Sequence, residues 1–348
     1  MCNKFLQTFI FAFIYHFMNP LVTVSIPLFK CEAFIEKTLR SVKNQSYSPI
    51  EVLLVNDVTP DQSAAIAEDF IRRHQLTNWR IINLKVNSGL SVVRNEGILQ
   101  AQGDYLFFLD SDDELLPSGI EDLVKTALRT HAQITMGEVI GIRLPENEMV
   151  DVFPIREKRN FIEGTPEILH SFVNGNFPVS SWNKLIRRDF ILQNKLWFTP
   201  GLYAQDSLHS FEMALKAESV AFLREKTYRY YLHSASVIHN RKKVHFDNWI
   251  TIAQKIDAHY REEKDPERKK LILQYLIDFK AMTLQMNWKA QKNEALWKRS
   301  YTAYSKLISL SFLDYFSTKY STDLKKKDLF ISLPVNIGFP FFKWRYER

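Results

Sequence analysis

Short apolar runs alternate with amphipathic segments through the first 142 residues, and this alternation restricts the fold more than any other feature of the chain. Runs rich in β-branched and aromatic residues predict strands at 22–26, 51–55, 79–84, 105–109 and 134–142. Apolar residues at helical spacing predict helices at 32–45, 61–74, 92–101 and 118–130, with Gly103 closing the third. The alternation predicts an α/β fold with a doubly wound, mostly parallel sheet.

In such sheets ligands bind beyond the carboxyl ends of the strands. Three carboxylates, Asp110, Asp112 and Asp113, follow the apolar run 105–109 directly. Two like charges about 4 Å apart repel by about 4 kcal/mol at an effective dielectric constant of about 20, so a cation must compensate them. Carboxylates select hard cations such as Mg²⁺ or Mn²⁺. The alternative is a helix N-cap or an acidic turn without a bound cation. If Asp-x-Asp were the only signal in the sequence, that alternative would be preferred.

Two further polar residues are placed at the same edge of the predicted sheet. Asp57 follows the strand at 51–55, where it can bind a nucleobase or ribose, or form an Asx turn toward Thr59. Arg94 lies on the helix that follows residues 87–90, where it can pair with a phosphate or with one of the clustered carboxylates. A surface salt bridge is the alternative for Arg94.

Four ordered segments at these strand ends resemble family 2 inverting glycosyltransferases of the GT-A fold: VSIPLF at 24–29, VLLVND at 52–57, NSGLSVVRN at 87–95 and GDYLFFLDSDD at 103–113. Downstream segments agree with the resemblance: SWNKL at 181–185, GLYAQD at 201–206 and RYYLHSAS at 229–236. The resemblance covers roughly residues 20–240, and the ordered set is far more specific than Asp-x-Asp alone.

The resemblance implies a nucleotide-diphospho-sugar donor, an acceptor hydroxyl, and Asp206 as the catalytic base. It implies Mn²⁺ or Mg²⁺ held through Asp110 and Asp112. It assigns the donor site to Pro27, Leu28, Phe29, Glu32, Asp57, Asn87, Arg94, Asp110, Ser111, Trp182 and Lys184. His239 is a weaker candidate for a metal or diphosphate contact.

Two positions depart from the family pattern. Gln205 replaces the usual Glu before Asp206, which suggests weaker acceptor contacts or altered tuning of the base. Val58 replaces the usual Gly and touches only a loop. A catalytically impaired member that binds nucleotide-sugar is therefore the alternative function.

The basic charge of the chain is concentrated in its last third. The formal net charge is +7, with −3 in residues 1–240 and +10 in residues 241–348. We expect a GT-A domain at 20–240, a helical region at 241–330 and an aromatic-basic tail at 331–348. The tail, with Phe341, Phe342 and Trp344, favours docking on an anionic membrane surface; packing back onto the helices is the alternative. The positive charge of residues 241–348 is also compatible with nucleic-acid binding. This function is less favoured, because no RRM, helix-turn-helix or zinc-finger signature is present.

An apolar stretch at residues 5–18 is too short to span a bilayer, which takes about 20 residues. We interpret residues 1–19 as a membrane-surface anchor or as an upstream translation before a start at Met18, rather than as a secretion signal. With two cysteines, a disulfide framework is not expected. The resemblance implies an enzyme that builds surface polysaccharide on a saccharide or lipid-linked acceptor. The basic C-terminal charge and the tail add the expectation of a cytoplasmic protein that is peripheral on the inner face of the membrane.

Overall fold

The computed structural model of the protein describes residues 19–233 and 243–347. The apolar stretch at 5–18, His239 and the end of the RYYLHSAS segment lie outside the described residues. The chain divides into two compact units. The first contains the described residues up to Ile168 together with Asn176–His233, and the second contains Leu169–Gly175 and the described residues beyond 242.

The first unit follows the predicted alternation of strands and helices. Its first half comprises β1 (Val22–Leu28), α1 (Ile35–Lys43), β2 (Ile50–Asn56), α2 (Ser63–His74), β3 (Trp79–Asn83), α3 (Leu90–Gln100), β4 (Tyr105–Phe108), β5 (Glu114–Leu115), α4 (Gly119–Thr130) and β6 (Ile134–Arg143). It continues with β7 (Glu148–Val150), β8 (Phe161–Glu163), α5 (Thr165–Val173), β9 (Lys184–Arg187), α6 (Arg188–Gln193), α7 (Gln205–Lys216) and β10 (Ser219–Leu232). Helix α5 continues into the second unit at Leu169.

All ten strands belong to one mixed sheet with the order β3-β2-β1-β4-β9-β6-β10-β5, to which β7 and β8 add at β6 and β10. The strands β3, β2, β1 and β4 are parallel neighbours, as are β6 and β10. Strand β9 is antiparallel to both β4 and β6 and joins the two parallel groups. The parallel register brings the ends of β1, β2 and β4 to one edge, as the sequence predicts.

Helix α3 does not end where the sequence predicts. It ends at Gln100, with Ala101 as its C-cap, so the prediction that Gly103 caps this helix is wrong. Gly103 lies against β1 instead, and a Cβ atom there would approach the backbone nitrogen of Thr23 to 2.7 Å. The glycine is required by this close approach of two backbone segments, not by a left-handed cap.

The second unit is helical, as predicted. It contains α8 (Lys243–Glu262), α9 (Pro266–Gln291), α10 (Glu294–Tyr304), α11 (Phe312–Phe316), α12 (Thr322–Ser332) and α13 (Val335–Tyr346). The aromatic-basic tail forms α13, and its rings divide between core and surface. Phe339 and Phe342 are buried and pack on Trp288 and Trp297, whereas Phe341 remains 44% exposed. Among the described residues, no helix combines the length and the apolar character needed to cross a bilayer.

Candidate active site

Arg94 is the centre of a three-residue ion cluster at the carboxyl edge of the sheet. It lies on α3, its side chain is 2% exposed, and its guanidinium faces the rings of Phe108 and Phe198. Its Nη1 donates to Asp206 Oδ1 at 2.5 Å, and its Nη2 donates to Asp110 Oδ1 at 3.0 Å. Burial opposes the charged form, but the two carboxylates outweigh it and raise the pKa of Arg94 above its ordinary value. The surface salt bridge considered from the sequence is therefore wrong; Arg94 is a buried bridge between two predicted site residues.

Asp206 combines partial exposure with a nearby cation. It lies in the first turn of α7, where a negative charge is favoured by the helix dipole. Its side chain is 34% exposed. Burial alone would raise its pKa, but the charge and hydrogen bond of Arg94 outweigh this and lower the pKa below the ordinary value. Asp206 is thus an ionised carboxylate that solvent and a second molecule can reach.

Besides Arg94, two further basic residues near Asp206 are buried, and both have lowered pKa values. His209, one turn along α7, stacks on Phe198 at 3.8 Å, and burial lowers its pKa to about 4. Burial lowers the pKa of Lys184 to about 7, although the charge of Asp206 partly opposes the shift. Lys184 Nζ donates to the hydroxyl of Ser180 at 3.2 Å and also to its carbonyl oxygen. Lys184 was expected from its sequence motif to bind the donor, but its amine is buried in the interior and engaged by Ser180.

The three clustered carboxylates have different surroundings. Asp113 is buried and accepts hydrogen bonds from the hydroxyl of Tyr228 at 2.8 Å and from the backbone N–H of Tyr231 at 2.9 Å. It attaches the acidic loop to β10 and does not face a ligand. Burial raises the pKa of Asp110 to about 6 despite the opposing charge of Arg94. Asp112 is more open, with a side chain that is 38% exposed.

Asp112 has a partner that the sequence analysis missed. His233, which follows β10, places Nε2 at 3.0 Å from Asp112 Oδ2, and its ring stacks on Phe34 at 4.8 Å. Its Nδ1 is buried and has no hydrogen-bond partner among the described residues. From the sequence, His239, six residues further on, was the candidate instead. Position in the chain does not reveal that β10 ends beside Asp112, so His233 could not be recognised.

The carboxylate of Asp112 is a ligand type that suits Mn²⁺ or Mg²⁺, and the adjacent imidazole of His233 adds a nitrogen that a divalent metal ion can also bind. In the part of the chain that is described, no three His, Cys, Asp or Glu side chains form a preassembled metal site. A cation bound at Asp112 would take its remaining ligands from a bound phosphate group and from water, as is usual for Mg²⁺.

Asp57 supports a loop at the same edge of the sheet. Its carboxylate accepts hydrogen bonds from the backbone N–H groups of Ser88 at 2.6 Å and Gly89 at 2.9 Å, while Asn87 Nδ2 donates to its carbonyl oxygen at 2.9 Å. The Asx turn toward Thr59 is made by Asn56 instead, whose Oδ1 accepts from the Thr59 N–H at 2.9 Å. The Asx turn considered as the alternative for Asp57 is therefore wrong, and Asp57 fixes the loop that leads into the helix of Arg94.

The remaining residues assigned to the donor site differ in accessibility. Phe29 and Asn87 are exposed, and Pro27 and Ser111 are partly exposed. Glu32 is also exposed, and its Oε2 accepts from the backbone N–H of Gln62 at 2.9 Å. The side chain of Leu28 lies fully inside the hydrophobic core. Trp182 is buried in an aromatic stack between Tyr228 at 4.8 Å and Tyr230 at 5.3 Å. The side chains of Leu28 and Trp182 are both buried, so neither is placed to contact a donor.

The two departures from the family pattern have local explanations. Gln205 is buried, and its Oε1 accepts a hydrogen bond from the hydroxyl of Ser91, which joins α7 to α3. It does not face an acceptor, so the expected effect on acceptor contacts has no support in this geometry. Val58 has a φ of 55° and is 45% exposed. A glycine adopts this left-handed backbone without strain, which explains why glycine is usual there.

Comparison with known proteins agrees with this geometry. Residues 23–192 match the model of the family described as glycosyl transferase family 2. The putative glycosyltransferase EpsH of Bacillus subtilis is 25% identical over 289 residues, which cover 81% of either chain. The uncharacterized glycosyltransferase EpsJ of the same organism is 32% identical over 217 residues, and the match spans 61% of its length.

The solved structures show the same fold. Staphylococcus aureus TarS residues 1–349, crystallised with UDP-GlcNAc, has a TM-score of 0.69 at 19% identity, and the match covers 94% of this chain and 93% of that one. The matched family region contains Asp57, Arg94, Asp110 and Asp112, and the structure adds Asp206 to them through Arg94. Residues 23–192 of this chain therefore form a domain of glycosyltransferase family 2, and the protein is a glycosyltransferase with the GT-A fold.

Proposed function

We propose that the protein is an inverting enzyme that transfers a sugar from a nucleotide-diphospho-sugar to an acceptor hydroxyl, with Asp206 as the general base. The observation that carries the proposal is the shared Arg94, which joins an accessible, ionised Asp206 to Asp110 in the acidic loop. A base for the acceptor and a carboxylate cluster for the donor are thereby held at one site.

Asp206 accepts the proton of the acceptor hydroxyl as its oxygen attacks the anomeric carbon. The bond from that carbon to the diphosphate breaks on the opposite face, so the configuration is inverted and no covalent enzyme intermediate is needed. The developing positive character of the sugar ring resembles that in glycosidases. Arg94 keeps Asp206 deprotonated and oriented, which is what a general base requires before it reacts.

The donor diphosphate carries charge that the acidic loop cannot neutralise by itself. A bound Mn²⁺ or Mg²⁺ would neutralise the charge that develops on the leaving diphosphate. Asp112 and His233 would hold such an ion, with Asp110 beside them. The buried Nδ1 of His233 and the partial exposure of Asp112 support this assignment. Asp57 and Asn87 would order the loop over the nucleoside.

The acceptor and the location are inferred from the relatives and from the charge. TarS is named as a poly(ribitol-phosphate) beta-N-acetylglucosaminyltransferase, which supports a surface-polysaccharide acceptor, saccharide or lipid-linked. The net charge of +10 in residues 241–348 and the half-exposed Phe341 support peripheral docking on the cytoplasmic face of an anionic membrane.

A donor screen tests the proposed function. The full-length protein is incubated with UDP-, GDP- and dTDP-sugars in the presence of Mn²⁺ or Mg²⁺, and nucleoside diphosphate release is measured with and without simple saccharide acceptors. Proton NMR of the product then gives the anomeric configuration. We expect release from one nucleotide class, dependence on the divalent ion, and inversion. A product with retained configuration would contradict the mechanism.

A further inference from the structure

Helix α11 presents an unusually exposed apolar surface. Among the large hydrophobic residues of the described chain, only four are more than 70% exposed, and three of these are Phe312, Leu313 and Phe316. The rings of Phe312 and Phe316 lie 5.0 Å apart, and Leu313 is exposed next to Phe312 in the chain. We call these three residues the α11 projection. Adjoining hydrophobic residues with this exposure are rare on proteins that have no binding partner for them.

The exposure of the α11 projection is imposed by the local structure. Ser311 and Asp314 form a reciprocal capping box that fixes the start of the helix. On the opposite side, the hydroxyl of Tyr315 donates to the buried carboxylate of Asp328 at 2.6 Å. Tyr315 also packs on a small core that includes Tyr320 and Leu324. Tyr315 thus contacts the core of the second unit, whereas Phe312, Leu313 and Phe316 are exposed.

Cationic side chains flank the projection in sequence. Lys306, Lys319 and Lys326 are exposed, and none forms an ion pair with a described residue. The one carboxylate on α11, Asp314, is engaged in the capping box. Exposed apolar side chains with exposed lysines on either side in sequence match the interface of an anionic bilayer, where rings enter the headgroup region and lysines meet lipid phosphates.

We propose that the α11 projection inserts into an anionic membrane surface and is the main apolar anchor of the second unit. The inference rests on the peripheral location in the proposed function and identifies the element responsible, which is not the tail helix α13. A dimer is a poorer match for this surface, because three side chains offer less than about 750 Å². A standard protein–protein interface takes about 800 Å² from each partner.

A fluorophore at position 313 tests insertion directly. The full-length Cys2→Ser, Leu313→Cys protein is labelled with the environment-sensitive dye NBD, while the buried Cys31 stays unlabelled. We expect the emission to shift to shorter wavelength on vesicles of phosphatidylglycerol and phosphatidylcholine, with quenching by nitroxide-labelled lipid. A matched label at Met149→Cys, which is 77% exposed on a hairpin near Glu146 and Glu148, should not respond. Unchanged emission at 313 with bound protein would overturn the proposal.

Vesicle flotation separates this inference from the proposed function. The full-length triple variant Phe312→Ser, Leu313→Ser, Phe316→Ser should partition at least about tenfold less than the wild type, with unchanged thermal melting. The pair Ile337→Ser, Phe341→Ser on α13 should have a smaller effect. If only the α13 pair loses binding, the α11 inference is wrong and membrane docking stands. If the wild type does not float at low salt, both are wrong. A dimer in light scattering that the triple variant abolishes would assign the projection to self-association and also overturn the proposal.

Discussion

Arg94 and Asp206 are joined by a 2.5 Å hydrogen bond although 112 residues separate them in sequence. The bond links helix α3 to the first turn of α7, and the second nitrogen of the same guanidinium reaches Asp110. One buried cation thus positions the proposed base relative to the acidic loop. In the proposed mechanism, this bridge sets the distance between the base that serves the acceptor and the carboxylates that serve the donor.

Arg94→Lys tests the bridge while preserving the charge. A lysine ammonium cannot replace two guanidinium hydrogen bonds in a planar fork, so we expect turnover to fall by at least about 100-fold. Steady-state kinetics should show the loss mainly in kcat. Arg80→Lys is the matched control, because Arg80 makes a 2.8 Å pair with Glu51 away from the site. Near-normal turnover in Arg94→Lys would show that the bridge does not position the base.

Asp112→Asn and His233→Ala test the proposed ion site. Each removes one of two adjacent ligands, so Mn²⁺ affinity in the presence of nucleoside diphosphate should fall at least about tenfold. Electron paramagnetic resonance of free Mn²⁺ measures this without turnover. The exposed His131→Ala serves as control. Wild-type affinity in both site variants would exclude these residues as ligands.

Asp57→Ala tests whether the loop before α3 needs its carboxylate. The change leaves the Ser88 and Gly89 N–H groups without their acceptor, and we expect the free energy of unfolding to fall by about 1–3 kcal/mol. Nucleotide affinity, measured by calorimetry, should also fall, because the loop loses its order. If only stability changes, Asp57 organises the loop without serving the nucleotide.

The lowered pKa of Lys184 predicts how the free energy of unfolding changes with pH. Its pKa in the folded protein is lowered to about 7, whereas an unfolded lysine stays protonated up to about 10.4. Between these values the unfolded chain binds more protons, so stability should rise with pH by up to about 1.4 kcal/mol per unit. Urea unfolding at pH 7, 8 and 9 should show this rise in the wild type relative to Lys184→Met. Parallel profiles for the two proteins would refute it.

The fold was predictable because its signals are local. The strands β1, β2 and β4 appear in the sequence as apolar runs, and parallel order then brings Asp57 and Asp110 to one edge. The resemblance to the family supplied Asp206, which no local pattern could have associated with Arg94.

The errors arise from contacts between distant segments. Strand β10 is 14 residues long and ends beside Asp112. This end places His233 next to Asp112, and the strand also places Tyr228 against the buried Asp113. The aromatic stack on Trp182 also depends on β10. The spacing of residues along the chain does not reveal these tertiary contacts. The burial of the Trp182 and Lys184 side chains could therefore not be deduced from the sequence.

The central claim is that Asp206 is the catalytic base. Asp206→Asn retains the oxygen that accepts from Arg94 but cannot take a proton from the acceptor. We expect kcat to fall by about 10²- to 10⁴-fold. Donor affinity measured by calorimetry should remain that of the wild type, and Asp189→Asn, which removes a surface carboxylate paired with Arg187, should leave both unchanged. Loss of donor affinity together with turnover, or undiminished turnover, would contradict the assignment.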